Sequence, residues 1–232
     1  MNQVICIDGP SGAGKGTVGR LLAERLGFNY LDSGALYRVL AVLAKQHNLD
    51  ANDVSALVAL AADTKVTFAG EQVLCAGQDI SAKIRTEEVG ACASKLAPIA
   101  EVRDALLGVQ RAYALDGRGV VADGRDMGTT VFPNAELKIF LSASAEERAR
   151  RRFGQLQGVD KVGENGANQL IHKEDNDSLR ALIEDITARD LRDASRKVSP
   201  LRPAEDAIQI DSNSLSIEDV LEKVMGFWTA VA

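Results

Sequence analysis

Short apolar runs recur along the chain with almost no polar alternation: "QVICIDG" (3–9), "VVADG" (120–124), "LKIFLSA" (137–143) and "AIQIDS" (207–212). Continuous apolar runs of this length predict strands buried on both faces. Between them apolar residues repeat at helical spacing, first in "KGTVGRLLAERLG" (15–27), closed by Gly27, then over 34–46, 53–62, 86–116, 144–157, 178–197 and 216–231. Strands alternating with helices predict an α/β fold, a parallel sheet flanked by helices on both sides. Two stretches depart from that rhythm. Residues 64–84, "TKVTFAGEQVLCAGQDISAKI", nearly alternate around "AGEQ" and "AGQD" and predict a small antiparallel insertion. Residues 154–177, rich in glycine, asparagine and charge, predict a mobile loop.

Composition narrows the class. A chain of 232 residues, 46% hydrophobic, fits one domain over 1–232 that carries these insertions. No apolar run approaches the roughly 18 residues of a membrane span, and "MNQVICIDG" lacks the basic leader and cleavage site of a secretory signal. Three scattered cysteines, Cys6, Cys75 and Cys92, suit a reduced compartment better than a disulfide framework or zinc site. The expectation is a cytoplasmic protein. A net charge of −6 argues against nucleic acid or an anionic membrane as partner. Yet arginines crowd into 148–152 and 189–202, as they do where a small anion is bound.

The chemistry-bearing stretches sit at strand ends and on one helix. "GPSGAGKGT" (Gly9–Thr17) follows an apolar strand and opens a helix, the context of a phosphate-binding loop. Its backbone N–H groups and the helix N-terminus would wrap a phosphate chain, with Lys15 supplying positive charge. Gly16, however, stands where the usual loop has a hydroxyl, and Thr17 comes one position late. In "VVADGRDMG", Asp123 ends a buried strand, either holding magnesium or capping a turn. Arg125 and Asp126 follow at the edge of the sheet where α/β folds bind ligands, though a plain surface pair is the alternative. In "LIEDITARDLRDASRKVSPL" (182–201), the apolar stripe Leu179, Leu182, Ile183, Ile186 continues into Arg189, Asp193 and Arg196. Such charges face a polar cleft or end in a solvated helix terminus. "ERARRR" (147–152) reads as a solvated basic face at Arg150, and His47 and His172 have no evident partner.

Taken together, "DGPSGAGKGT", "LDSGALYR", "IRTEEV", "ADGRDMGT", "KIFLSASAEERARRR" and the "RD…D…R…SPL" run resemble, in order and over almost the whole length, the bacterial cytidylate kinases. The resemblance implies the nucleoside monophosphate kinase fold and transfer of the γ-phosphoryl of ATP to CMP or dCMP by a monomer. It makes G-K-G-T the family's own loop, so Gly16 is no defect. It implies that Gly9, Pro10, Ser11, Gly12, Ala13, Gly14, Lys15, Gly16 and Thr17 bind ATP, and that Asp123 holds Mg2+ through water. Lys15, Arg152, Arg192 and Arg196 are expected around the phosphates in flight, and Arg38 and Arg125 on the acceptor's phosphate. Ser94, Arg103 and Asp126 are expected to read the cytosine edge, Arg189 and Asp193 to meet the ribose, and Ser33 to line the acceptor pocket. Phosphoryl transfer is largely positioning and charge stabilisation, which suits so many arginines. The stretch between Arg152 and Arg189, around 158–173, is longer than this family leads one to expect; it corresponds to the lid over ATP. A kinase for another monophosphate would lack the cytosine-reading set. A GTP-dependent switch would need an N-K-x-D motif and a hydroxyl directly after the loop lysine, and neither occurs.

Overall fold

The computed structural model describes residues 3–115, 117–156 and 173–231. The chain enters through β1 (Val4–Asp8), α1 (Lys15–Leu26), β2 (Asn29–Asp32), α2 (Ser33–Gln46) and α3 (Val54–Ala62). A small antiparallel sheet follows, β3 (Val66–Ala69), β4 (Gln72–Cys75) and β5 (Gln78–Asp79), inside the stretch where alternation foretold it. Then come α4 (Ser81–Ile84), α5 (Glu87–Leu96), α6 (Ala100–Ala112), β6 (Val120–Gly124) and a π-helical turn at Met127–Val131. The chain continues through β7 (Leu137–Ser142), α7 (Ala145–Leu156), α8 (Lys173–Ala194), β8 (Ile208–Asp211) and α9 (Ile217–Val231).

The main sheet is parallel, in the order β2-β6-β1-β7-β8. Every residue of β1 and β6 is buried, which is why these strands carry no polar alternation. The edge strand β8 instead alternates inward positions, half-buried at Ile208 and buried at Ile210, with exposed ones. On one face Val18 and Leu22 of α1 and Leu221, Val224 and Trp228 of α9 cover Ile5, Ile7 and Ile139. Other apolar residues, Leu31, Leu36, Ala122 and Met127, gather around Cys6. A further core, with Leu40, Leu57, Leu96, Val102 and Leu106, joins α2, α3, α5 and α6.

The structure differs from the sequence expectation in three places. β2 was not expected: it has four residues, "NYLD", too short to show a pattern, and its existence depends on pairing with β6. The single helix expected over 86–116 is broken into α5 and α6. Pro98 lies between them, with no N–H to donate and a ring that clashes with the preceding turn. The helix expected over 178–197 begins earlier, at Lys173, and ends at Ala194, so Arg196 lies beyond it. Residues 157–172, most of the loop expected over 154–177, lie outside the described residues, and 154–156 and 173–177 on either side are helical.

Parallel pairing sends the carboxyl ends of β1, β2 and β6 to one edge of the sheet. Asp8, Asp32 and Asp123 arrive there together, with Asp32 directly opposite Asp123 and Asp8 opposite Gly124. In open α/β sheets this is the edge at which ligands bind.

Candidate active site

The loop between β1 and α1 is shaped by its glycines. A side chain at Gly9, φ +148°, would place its Cβ 1.9 Å from the Leu141 carbonyl oxygen, so no other residue fits there. Gly14, also left-handed, caps α1 without a side-chain hydrogen bond. The first N–H groups of that helix therefore remain available to an anion. Lys15 Nζ donates to the Pro10 carbonyl at 3.0 Å. Burial, and next the like charge of Arg125, lower the affinity of this ammonium for its proton; Asp123 opposes them.

Asp123 is buried beside it. Burial pushes its carboxyl upward, and facing Asp32 adds to the effect. Tyr30 donates its hydroxyl to Asp123 Oδ2 at 3.0 Å, and burial beside that carboxylate pushes the phenol well up. A Cβ at Gly16 would lie 3.3 Å from the same Oδ2 and 3.5 Å from the Tyr30 hydroxyl. A side chain here would press on the strand-end carboxylate and touch the phenol, and glycine leaves both undisturbed.

A cavity of about 860 Å³ opens from this loop. Ser11, Gly12, Lys15, Gly16 and Thr17 line its loop side, with Asp32 and Asp123. Ser33, Arg38, Ser94, Arg103, Arg125, Asp126, Arg152, Arg189, Asp193 and Arg196 line the remainder. So the residues the resemblance implicated come together from widely separated parts of the chain. Gly9, Pro10, Ala13 and Gly14 shape the loop without lining the cavity, and Arg192 is exposed outside it.

Charges alternate through the cavity. Arg125, whose charge is felt at Lys15, donates from Nε to Asp193 Oδ2 at 2.9 Å. The other oxygen of Asp193 accepts from Arg196, which reaches back from beyond the end of α8. Also lining the cavity, Arg103 forms a buried ion pair with Asp126 and donates to the Ala97 carbonyl at 3.1 Å. Ser94 donates to the Gly90 carbonyl at 3.0 Å, and Arg38 reaches the Ile84 carbonyl at 2.7 Å. Arg152 of α7 pairs with Glu87 of α5.

Two polar atoms in this cavity are buried with no hydrogen-bond partner, the Tyr37 hydroxyl and Arg189 Nε. Burial and the neighbouring positive charge of Arg125 hold the Arg189 guanidinium down at about 10. Buried polar groups normally have partners, so these await one. An anion carrying hydrogen-bond acceptors fits both the orphan donors and the surplus arginine charge. The arrangement can grip phosphate at the loop, offer a matched acid and guanidinium at Asp126 and Arg103, and surround a bound anion with further arginines.

Sequence reasoning missed several residues here. Tyr30 and Asp32 lie on the short strand β2, whose pairing carries them to Asp123. Asp8 ends β1 and accepts from the N–H groups of Met127 and Gly128 at 2.9 and 2.8 Å, fixing the turn that follows Asp126. Arg148, lost within a basic run, is buried and bonded to the loop itself. Asp8 was legible only as part of the "IDG" preceding the loop; nothing singled out the others.

A family model described as cytidylate kinase matches residues 5–229. The cytidylate kinase of Pseudomonas fluorescens (strain SBW25) is 52% identical over 228 residues, 96% of this chain and 93% of that protein. The cytidylate kinase of Vibrio cholerae serotype O1 (strain El Tor Inaba N16961) is 51% identical over 230 residues, 97% of this chain and 95% of that protein.

Proposed function

The chain belongs to the cytidylate kinase family, and we propose that the cavity at its phosphate loop moves the γ-phosphoryl of ATP onto CMP or dCMP, with the roles divided among its lining residues. The observation that carries this reading is the distribution of charge in that one cavity. A phosphate loop with a buried lysine and a buried Arg103–Asp126 pair line the same cavity, with arginines among them. The pair matches a cytosine edge: the carboxylate accepts from the exocyclic amino group, and the guanidinium donates toward N3 and O2. Ser94 and Ser33 line the same cavity.

The arginines do the remaining work. Arg38 and Arg125 grip the acceptor phosphate, and Arg189 and Asp193 hold the ribose. Lys15, Arg152 and Arg196 surround the phosphoryl group in flight, joined by Arg192 if α8 and its neighbours turn it inward on binding. Preorganised guanidinium groups stabilise charge that develops on the equatorial oxygens, and they do so without reorganising during the reaction. Asp193, held by both Arg125 and Arg196, keeps two of these groups in fixed relation.

Mg2+ fits the loop end of the cavity. It is a hard cation that takes one or two carboxylates, keeps several waters and binds substrate phosphates. Asp123 and the facing Asp32 supply such carboxylates, Thr17 adds a hydroxyl nearby, and a cation would relieve the raised carboxyl of Asp123. When bound, the ion would neutralise charge on the donor phosphates. The chain works as one kinase domain over its length, as a monomer, in the cytoplasm. No helix among the described residues is long and apolar enough to cross a membrane.

The test is coupled ADP release with ATP and each of CMP, dCMP, UMP, AMP and dTMP in turn. The reading expects turnover with CMP and dCMP well above the other acceptors. A preference for another base would overturn the assignment of Arg103 and Asp126.

A further inference from the structure

Arg148 is the most heavily engaged arginine that the reaction scheme leaves unused. It sits on α7, is buried, and lines no part of the cavity. Its Nε donates to the Ala143 carbonyl at 2.9 Å. Nη1 donates to the Ser11 carbonyl in the phosphate loop at 3.0 Å and to Asp190 Oδ1 of α8 at 3.2 Å. Nη2 donates to Asp190 Oδ2 at 2.5 Å. One planar guanidinium therefore fastens three separate segments: the start of its own helix, the loop, and α8. A fork of fixed donors suits this task, and a flexible point charge does not.

The bond to Ser11 has a directional consequence. A trans peptide is planar, so the carbonyl of Ser11 and the N–H of Gly12 point opposite ways. Holding the carbonyl from behind the loop turns the Gly12 N–H the other way. Gly12 itself lines the cavity and has φ +81°. A Cβ on it would stand 3.2 Å from the Cβ of Arg148, so glycine lets the arginine stem lie directly against the loop. The second consequence runs along α8. Asp190 is the neighbour of Arg189 and lies one turn before Asp193, the residue shared by Arg125 and Arg196. Fastening Asp190 fixes how α8 sits against the phosphate loop.

We propose that Arg148 is a positioning residue for phosphoryl transfer. It aims the Gly12 N–H at the donor phosphates and, through Asp190, holds the arginine-bearing helix in register with the loop. The proposal rests on the phosphoryl-transfer reading above and adds a residue that touches neither substrate. A displacement of about 1 Å at such a site costs on the order of 10²-fold in rate.

The variants that test it are Arg148→Ala, Arg148→Lys, Asp190→Asn and the Lys/Asn double, each checked by circular dichroism and thermal melt. Three quantities are read: kcat, ATP affinity, and CMP affinity measured calorimetrically without ATP. The expected result for Arg148→Ala is a kcat loss of about 10²-fold with weakened ATP binding. CMP affinity should fall by a smaller factor than ATP affinity, since Arg103, Asp126 and Arg38 make no bond to Arg148 or Asp190 and α8 reaches the acceptor only through Arg189 and Asp193. Arg148→Lys should rescue only in part, because an ammonium reaches the Ser11 carbonyl or Asp190 but lacks the fork. Asp190→Asn, the milder change for folding, should lose activity in the same direction. The double variant should be no worse than the sum predicts and closer to Arg148→Lys alone, as partners in one network are. Folded variants with a lowered melting temperature but unchanged kcat and ATP affinity would reduce Arg148 to a structural tie. Equal weakening of ATP and CMP would overturn the directional claim. Failure of the wild-type protein to phosphorylate CMP would instead defeat the reading on which the proposal rests.

Discussion

At the scale of single residues, Gly16 shows how a loop position is decided by what lies across from it. Asp123 Oδ2 and the Tyr30 hydroxyl come within 3.3 and 3.5 Å of the point where a Cβ would be. A side chain there forces the carboxylate to give way, and a threonine adds two more heavy atoms in the same direction. Gly16→Thr should lower kcat by roughly 10–100-fold, as displaced catalytic groups do, while the protein remains folded. Steady-state turnover beside a melting curve checks this, and full activity in the variant would mean that Asp123 has room to spare. The sequence made the Gly16 departure visible but held no reason for it, since the reason lies on β2 and β6, 14 and 107 positions away. Lys15, Asp123 and Asp126, by contrast, were legible because Lys15 belongs to the glycine-rich loop that follows one buried apolar strand, Asp123 stands near the end of another, and Asp126 comes two residues after that strand.

At the scale of elements, α5 illustrates a helix compromised for the site. Thr86 caps it by accepting from the Val89 N–H, and Gly90 sits inside it, where glycine costs about 1 kcal/mol relative to alanine. A Cβ at Gly90 would stand 3.0 Å from Arg38 Nη2 and 3.2 Å from Nη1, so the glycine makes room for that guanidinium. Gly90→Ala should therefore separate stability from function. The melting temperature should hold or rise, while KM for CMP rises roughly tenfold through a displaced charged hydrogen bond and KM for ATP stays constant. A variant with unchanged KM for CMP would detach Arg38 from the acceptor phosphate. Elements with long periodic patterns, α1, α2, α7 and α9, were readable because their own residues carry the signal. The short β2 was not, because its pairing with β6 decides it; the break between α5 and α6 was written in the sequence as Pro98, which a continuous helical reading overlooked.

At the scale of the whole molecule, burying acids at one sheet edge makes stability depend on pH. Burial raises the Asp8 carboxyl from 3.8 to about 6, with the N–H groups of Gly128 and Met127 holding it back. The native state thus binds this proton more tightly than the unfolded chain does. The stability Asp8 contributes is complete below about pH 4 and is lost as pH rises through about 6, a difference of about 3 kcal/mol. Asp8→Asn should flatten the stability profile between these limits in urea titrations, and parallel profiles for the two proteins would show that Asp8 is not the titrating group. The parallel sheet and its flanking helices were foreseeable, since alternating patterns leave few arrangements for them. The gathering of Arg148, Asp190, Tyr30 and Asp32 around the loop was not, because it depends on strand order and helix placement.

The proposed function depends most on separate tasks for the phosphate loop and for the buried Arg103–Asp126 pair that line one cavity. A site built around a base's hydrogen bonds rejects the wrong base by leaving buried groups unpaired. In the proposed reading, removing Asp126 takes away the acceptor for the cytosine amino group, and it leaves Arg103 without its buried partner. The decisive measurement is the ratio of kcat/KM for CMP to that for UMP, in the wild-type protein and in Asp126→Ala, with the fold of the variant checked by circular dichroism. The expected result is a strong wild-type preference for CMP that falls by at least ~10²-fold in the variant. An unchanged CMP/UMP ratio in a folded variant would contradict it and remove Asp126 from base recognition.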